Sequence, residues 1–124
     1  MELELHGQTL SKMEYDYTVA LYTDAGYEIR IEEDYTLITS QEEYTYSPEP
    51  STEHTGPLDI LSEQTITTAT ADENGTLTLT VADGTLLNVF ASADFEAWTL
   101  AGPGGRKVVC LPGGELATWN TTNS

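Results

Sequence analysis

The chain is poor in basic residues, in cysteine and in long apolar runs, and each shortage excludes a class of protein. Four of its 124 residues are lysine or arginine, against 21 aspartates and glutamates, so the formal net charge is -17. So negative a chain repels phosphate backbones and anionic lipid surfaces, and we expect neither nucleic acid nor membrane as a partner. A basic protein is the macromolecular partner that this charge favours.

The single cysteine and the short apolar runs bear on compartment. Cys110 cannot form an internal disulfide, and a chain of 124 residues can bury a core without a metal or a disulfide. No apolar stretch approaches the roughly 18 residues that cross a bilayer, and residues 1–4 lack the basic start of a secretory signal. We therefore predict a cytoplasmic protein.

Residues capable of catalysis or metal binding are few and poorly spaced. His6 and His54 are far apart and fit no zinc-ligand spacing. Residues 102–105, Gly-Pro-Gly-Gly, lack the lysine and the following helix of a phosphate loop and are typical of a hairpin turn. Cys110 lies on a strand-like segment and is expected to be a buried apolar residue. We predict no cofactor, no metal site and no catalytic residues.

Two segments of the chain repeat one pattern. Residues 33–37 and 96–100 match at an acid, an aromatic, Thr and Leu, and each follows a segment that begins Gln-Thr-Leu or Gln-Thr-Ile, at Gln8 and Gln64. The repeat indicates a tandem duplication of one strand-rich unit, and the two copies should pack together because neither buries its apolar face alone. We place a single domain at residues 1–120, with copy one at about 3–46, a linker at 47–57, copy two at about 58–119, and a disordered tail at 121–124.

Alternation of polar and apolar residues predicts strands almost throughout. Residues 27–32 and 76–81 alternate without a break, as a strand with one buried face does. Asn74-Gly75 and Asp83-Gly84 are typical of tight turns between such strands. The predicted fold is all-β: two tandem-duplicated antiparallel meanders packed as one sandwich or partly open barrel, with one short helical turn between the copies at residues 57–62. The predicted core is Val19, Leu21, Ile29, Ile31, Leu37, Leu77, Leu79, Val81, Leu87, Val89, Trp98, Leu100 and Val108.

The C-terminal part of the chain resembles a small bacterial β-rich family of unknown function. The pattern that carries the resemblance is Glu96-Ala97-Trp98, Gly102-Pro103-Gly104-Gly105, Cys110-Leu111-Pro112-Gly113-Gly114 and Leu116-Ala117-Thr118-Trp119. The similarity extends over most of residues 3–119. It implies a β-rich fold but no activity, ligand or site residue that could be transferred. The long linker and the charge of this chain depart from the family pattern.

Negative charge and tyrosine are concentrated in copy one. Residues 28–63 contain ten acids with Arg30 as their one basic residue, whereas residues 97–124 contain Arg106 and Lys107 against Glu115. All seven tyrosines lie in copy one, and tyrosine offers an interface rigid apolar area together with a hydroxyl. We therefore predict a non-enzymatic acidic protein-binding module, of the inhibitor or immunity type, that covers a basic partner. The predicted binding residues are Glu32, Glu33, Asp34, Glu42, Glu43, Tyr44, Tyr46, Glu49 and Glu53.

The sequence leaves two other classes open. Glu33 and Glu96 are equivalent in the two copies, and a pseudo-twofold axis could join them as the carboxylates of a small enzyme or a cation-binding site. Alternatively, the charge could only keep a structural protein in solution or adapt its surface to high salt. The oligomeric state is open as well, since exposed edge strands would permit dimerisation.

Overall fold

A computed structural model describes residues 1–119, which form eleven β-strands in two antiparallel sheets. The strands are β1 (Leu10–Tyr15), β2 (Val19–Thr23), β3 (Glu28–Ile31), β4 (Tyr35–Ile38), β5 (Glu43–Tyr46), β6 (Ile66–Ala71), β7 (Leu77–Val81), β8 (Leu86–Val89), β9 (Trp98–Ala101), β10 (Lys107–Cys110) and β11 (Leu116–Trp119). The six-stranded sheet has the order β1-β2-β3-β9-β10-β11, and the five-stranded sheet has the order β5-β4-β8-β7-β6. The predicted all-β sandwich is confirmed, and its sheets do not close into a barrel.

The two copies interlock. Copy one contributes β1, β2 and β3 to the six-stranded sheet, but its β4 crosses to the other sheet and pairs with β8 of copy two. Copy two does the reverse, because its β9 leaves the five-stranded sheet and pairs with β3. Each sheet therefore contains strands from both copies, and neither copy can complete a sheet alone. The sequence did not indicate this exchange.

Thr9 and Thr65 occupy equivalent positions in the two predicted copies, and the structure brings them together. They form an antiparallel bridge, and their hydroxyl oxygens are 3.4 Å apart. Equivalent backbone hydrogen bonds flank this bridge: Leu10 N donates to Gln64 O at 3.0 Å, and Ile66 N donates to Gln8 O at 2.7 Å. The same local geometry at equivalent positions is the structural counterpart of the sequence repeat.

The apolar side chains of alternating strand positions fill the space between the sheets. Every residue predicted to form the core is buried. Leu3 and Leu5 of the N-terminal segment are also fully buried, although the sequence analysis did not include them. The predicted helical turn is a 3₁₀ turn at Pro57–Leu61, and it buries Leu58 and Leu61.

The linker and a second 3₁₀ turn connect strands of the described chain. Residues 47–56 contain neither strand nor helix, and Pro57, the last residue of the predicted linker, begins the 3₁₀ turn. A second 3₁₀ turn, Pro103–Gly105, joins β9 to β10 at the predicted hairpin. No helix within residues 1–119 has the length and apolar character needed to cross a membrane. The predicted tail at 121–124 lies outside the described residues.

Candidate functional site

A cavity of about 450 Å³ opens where the ends of β1, β4 and β5 meet the linker. Tyr15, Tyr35 and Tyr46 line it, together with most of the linker from Ser47 to Pro57. Tyr15 and Tyr46 are the last residues of their strands, and Tyr35 is the first of its strand. We call this site the tyrosine cavity. Regular strands fix the positions of its three rings, while irregular chain forms the remaining wall.

Tyr35 provides the most informative group in the cavity. The residue is 1% exposed, yet its hydroxyl has no hydrogen-bond partner among residues 1–119. Burial raises the pKa of Tyr35 to about 12, and nearby Tyr46 and Glu49 contribute to the shift. Buried polar groups normally have partners. Within residues 1–119, Gln8 Oε1 is the one fully buried side-chain polar atom without a partner, so the unpaired Tyr35 hydroxyl is open to the cavity, where a ligand can complete its hydrogen bond.

Tyr15 is held in place by the protein itself. Its hydroxyl donates to Asp59 Oδ1 at 2.8 Å, while Asp59 Oδ2 accepts the Gly56 N–H at 3.1 Å. Burial and this carboxylate raise the pKa of Tyr15. The ring lies so close to Gly56 that a Cβ there would approach Tyr15 Cε1 to 2.4 Å. Gly56 is therefore required for the linker to pack against the cavity wall.

Tyr46 contacts the aromatic rings on both sides of it. Its ring centroid lies 5.8 Å from that of Tyr35 and 6.2 Å from that of Tyr44, in tilted arrangements. The Tyr46 hydroxyl has no hydrogen-bond partner within the described part of the chain. Tyr44 instead donates to Glu42 Oε2 at 2.6 Å. The aromatic row therefore runs from the buried cavity out to the exposed hairpin.

The structure brings together part of the predicted binding set. Tyr46, Glu49 and Glu53 line the tyrosine cavity. Asp34 lies directly behind its wall, because Asp34 Oδ1 accepts the hydroxyl of Ser47 at 2.7 Å. The remaining members on the β4–β5 hairpin, Glu42, Glu43 and Tyr44, are exposed and do not line the cavity, since Glu42 and Glu43 lie at the other end of the hairpin from Tyr46.

Glu32 and Glu33 belong to a different place, the loop between β3 and β4. Burial raises the pKa of Glu32, and the neighbouring carboxylates of Glu96 and Glu33 raise it further. Acids of the two predicted copies thus lie close enough to repel one another. Among residues 1–119, no group of three or more His, Cys, Asp or Glu is arranged to hold a metal ion.

A second cavity, of about 550 Å³, lies beside β1 and is lined by charged side chains that already have partners. Lys12 Nζ is 3.1 Å from Glu14 Oε2, and Arg30 Nε is 2.7 Å from Glu28 Oε2. The Tyr22 hydroxyl donates to Glu14 at 2.7 Å, and the hydrogen bonds from Tyr22 and Lys12 lower the pKa of Glu14. Because these groups satisfy one another, the tyrosine cavity is the better candidate for a ligand.

In copy two, the region that corresponds to the tyrosine cavity is filled by side chains of the protein itself. Trp98 begins β9 as Tyr35 begins β4, and Cys110 ends β10 as Tyr46 ends β5. Trp98 Nε1 donates to Gly75 O at 2.9 Å, and Cys110 Sγ lies 3.4 Å from the same oxygen. Burial raises the pKa of the Cys110 thiol. We call this the closed end.

The turn from β10 to β11 seals the closed end. Gly114 lies so near the turn between β6 and β7 that a Cβ on it would be 2.3 Å from Asn74 O. Gly113 N donates to Ser92 O at 2.8 Å. The Cys-Leu-Pro-Gly-Gly run therefore has a packing role, as close approach of two backbones requires glycine.

These residues fall within a region that matches a known family. A model for a family of unknown function (DUF6188) matches residues 1–120. The chain belongs to this family. No curated protein and no solved structure matches it. The matched residues include both the tyrosine cavity and the closed end.

Sequence reasoning missed Tyr15 and Tyr35 as residues of the candidate site. The signal that could have found Tyr35 was the repeat itself, because alignment of the copies pairs Tyr35 with Trp98 and so places a polar hydroxyl at a core position. No local signal pointed to Tyr15, since its role depends on Asp59 and Gly56 of the distant 3₁₀ turn.

Proposed function

We propose that this DUF6188 protein is a non-catalytic protein-binding module whose tyrosine cavity accepts a lysine or arginine side chain of a basic partner. The observation that carries the proposal is the unpaired hydroxyl that the buried residue Tyr35 presents to a cavity that Glu49 and Glu53 also line. Each of these groups can accept a hydrogen bond from a cation.

The chemistry of the cavity favours a cationic side chain over other ligands. An ammonium or guanidinium group donates several hydrogen bonds and accepts none, so it complements phenol oxygens and carboxylates. The rings of Tyr35 and Tyr46 add cation–π attraction, which strengthens when the cation is desolvated. Tyrosine is neutral at physiological pH and burial raises the pKa of Tyr35 further, so its hydroxyl can accept a bond without adding charge.

The surroundings of the cavity support the same partner. Residues 31–105 contain no lysine or arginine, so no cation of that long segment competes for the carboxylates. A negative surface steers a basic protein toward the site and speeds association at low salt. An inhibitor or immunity-type protein that covers a basic partner would use this steering. The proposal places the protein in the cytoplasm, which its one unpaired, buried cysteine supports.

Capture of basic proteins from the lysate of the producing cell tests the proposal. Glu49→Gln with Glu53→Gln removes the cavity carboxylates, and Glu73→Gln with Glu115→Gln removes the same charge from exposed positions outside the cavity lining. We expect the first double variant to retain far less of a basic partner than the wild type and the second to retain nearly as much. Equal recovery by both double variants and the wild type would contradict a role for the cavity.

A conservative change sharpens this test. Tyr35→Phe keeps the ring but removes the hydroxyl, which has no partner within the described chain. We expect the unfolding free energy to change by less than about 0.5 kcal/mol while partner retention falls. Loss of stability without loss of binding would indicate that the hydroxyl serves the fold and not a ligand.

A further inference from the structure

We propose that the outer edge of β5 accepts an extended basic segment of the partner as an added antiparallel or parallel strand, next to the tyrosine cavity. The inference rests on the proposed function in taking a basic protein as the partner. It adds the mode of docking: backbone pairing along β5, with one cationic side chain of the added strand entering the cavity.

β5 is an open sheet edge, whereas the edge strand β6 is covered along its length, and β1 at its first residue, by other parts of the chain. Along β6, the Met1 ammonium donates to Ala71 O at 2.6 Å and Leu3 N donates to Ala69 O at 2.9 Å. Along β1, Glu63 N donates to Leu10 O at 2.8 Å. No segment of residues 1–119 pairs in this way with the outer side of β5.

The register of the hairpin shows which backbone groups are available. Thr39 N donates to Glu42 O at 2.8 Å and closes the β4–β5 hairpin. In an antiparallel ladder, hydrogen-bonded and non-hydrogen-bonded pairs alternate. Tyr44 therefore bonds to β4, opposite Leu37, while Glu43 and Thr45 direct their N–H and C=O groups away from the sheet. Both are exposed, so an incoming strand can reach these groups.

Charge selects the occupant of this edge. Glu42 and Glu43 lie on the hairpin, and Glu49 and Glu53 lie where the edge meets the cavity. Two copies of this chain would bring these acids together, so a second β5 is disfavoured as the occupant. A basic strand is favoured, because opposite charges on adjacent strands attract.

The face of β5 that carries the tyrosines leads into the cavity. Side chains two apart share one face of a strand, so Tyr44 and Tyr46 lie on the same side of β5. Tyr46 is both the last residue of the strand and a wall of the cavity. A strand added along β5 carries its own side chains about 7 Å apart on that face, so alternate lysines can follow the tyrosine row into the cavity.

Binding of a synthetic peptide, acetyl-Thr-Lys-Val-Lys-Val-Lys-Thr-amide, tests the inference by calorimetry at low salt. Thr45→Pro removes one outward N–H without removing a ladder bond, and proline is tolerated at such edge positions. We expect Thr45→Pro to weaken peptide binding roughly tenfold or more, since strand addition depends on backbone hydrogen bonds. Binding within about twofold of the wild type would overturn the inference, as would a wild type that does not bind the peptide.

Two matched variants control for side effects. Thr45→Val loses the hydroxyl that lies 2.9 Å from Thr36 Oγ1 but keeps the backbone N–H, so it should bind like the wild type. Thr118→Pro alters an outward position on β11, the other open edge, and should also leave binding unchanged. Equal weakening by Thr118→Pro would mean that the peptide does not select β5, and the inference would fail.

A modified peptide makes the result independent of protein folding. N-methylation of alternate peptide amides removes the donors on one edge while keeping every charge. With the wild-type protein, we expect binding to be lost when the methylated edge is the one that pairs with β5, so one of the two methylation patterns should be inactive and the other active. Equal binding of both patterns would show that charge alone holds the peptide, and would overturn strand addition.

The failures of the two proposals are distinguishable. If Glu49→Gln with Glu53→Gln weakens peptide binding and Thr45→Pro does not, the cavity binds cations and the edge does not accept a strand. If Thr45→Pro weakens binding and the double variant does not, strand addition stands and the cavity role falls. Concentration-dependent dimerisation of the wild type that Thr45→Pro abolishes would identify a second copy as the occupant and overturn the basic strand.

Discussion

The two ends that correspond in the predicted repeat have opposite characters. At the closed end, Trp98 and Cys110 pack on Gly75, whereas at the open end Tyr35 and Tyr46 surround a cavity. The difference begins in the chain that follows each hairpin. After β10 a glycine turn reverses the chain into β11, while after β5 the linker leads to the 3₁₀ turn at Pro57–Leu61 without forming a strand.

The same strand framework thus carries a packed end and an open end. The strands that fix Tyr35 and Trp98 are the same element of the repeat, and both residues are almost completely buried. The core therefore does not distinguish the ends. The distinction lies in the segment that follows each hairpin. The glycine turn after β10 fills the space next to Trp98, whereas the linker after β5 forms one wall of the cavity next to Tyr35 and leaves it open.

Removal of the aromatic residue at each end should have the largest effect on stability. Trp98→Ala loses a fully buried ring and its hydrogen bond to Gly75, so we expect a loss of about 3–5 kcal/mol in the free energy of unfolding. Tyr35→Ala should cost less, because its ring already borders a cavity and its hydroxyl has no partner within the described chain. Denaturant unfolding measures both, and equal or reversed losses would contradict the contrast between the ends.

Adjacent glycines provide the next test of close packing at the closed end. Gly114 has φ +96° and no room for a Cβ, whereas Gly113 has φ +88° and no atom within 4 Å of the position that a Cβ would take. Gly113→Ala should cost about 1 kcal/mol from backbone strain alone, and Gly114→Ala roughly 2–3 kcal/mol because a clash is added. Similar unfolding midpoints for the two variants would indicate that the turn moves away without cost.

Salt should stabilise the protein, and most of this effect should come from residues 28–63, which hold ten acids and one basic residue. Within residues 1–119, two ion pairs are formed, Lys12–Glu14 and Arg30–Glu28, so most acids are unpaired. Screening of their repulsion should raise the thermal midpoint by roughly 5 °C between low salt and a few hundred millimolar sodium chloride. A flat response would indicate that the acids do not repel one another significantly.

A pair of double variants locates the salt effect. Glu42→Gln with Glu43→Gln removes charge from the acidic hairpin, and Glu73→Gln with Glu115→Gln removes the same charge elsewhere. The hairpin variant should show the smaller remaining salt dependence of the thermal midpoint, since its carboxylates lie in the densest negative region. If the second variant shows the smaller dependence, the acidic residues 28–63 are not the main source of repulsion.

The smallest expected effect concerns Glu32, where acids of the two copies meet. Its pKa is raised in the folded protein, so the charged form is unfavourable there and its cost appears as pH rises through the raised pKa. Glu32→Gln should therefore stabilise the protein slightly at pH 7, and this gain should vanish as the pH falls below the ordinary pKa of glutamate. Unfolding curves at pH 7 and pH 4 measure the difference, and an equal gain at both values would assign it to packing instead of charge.

Local sequence patterns predicted the strands, turns and core well because these depend on neighbours in the chain. Thr76–Val81 alternation fixed the buried face of β7, and Asn74-Gly75 fixed the turn before it. The candidate site was predicted in part. Tyr46, Glu49 and Glu53 were found through charge and composition, whereas the contribution of Tyr15 depends on its bond to Asp59, 44 residues away.

By itself the sequence determined the fold class, the duplication pattern, the buried residues and the sign of the charge, since period, turn chemistry and composition act locally or over the whole chain. Tertiary structure alone decided that β4 and β9 exchange sheets, that one end is sealed and the other open, and that β5 remains an unpaired edge. The physical reason is that each of these depends on which distant segment covers a given strand. The glycine turn at 113–114 covers one end by close backbone contact, and the linker at 47–56 passes the other without filling it.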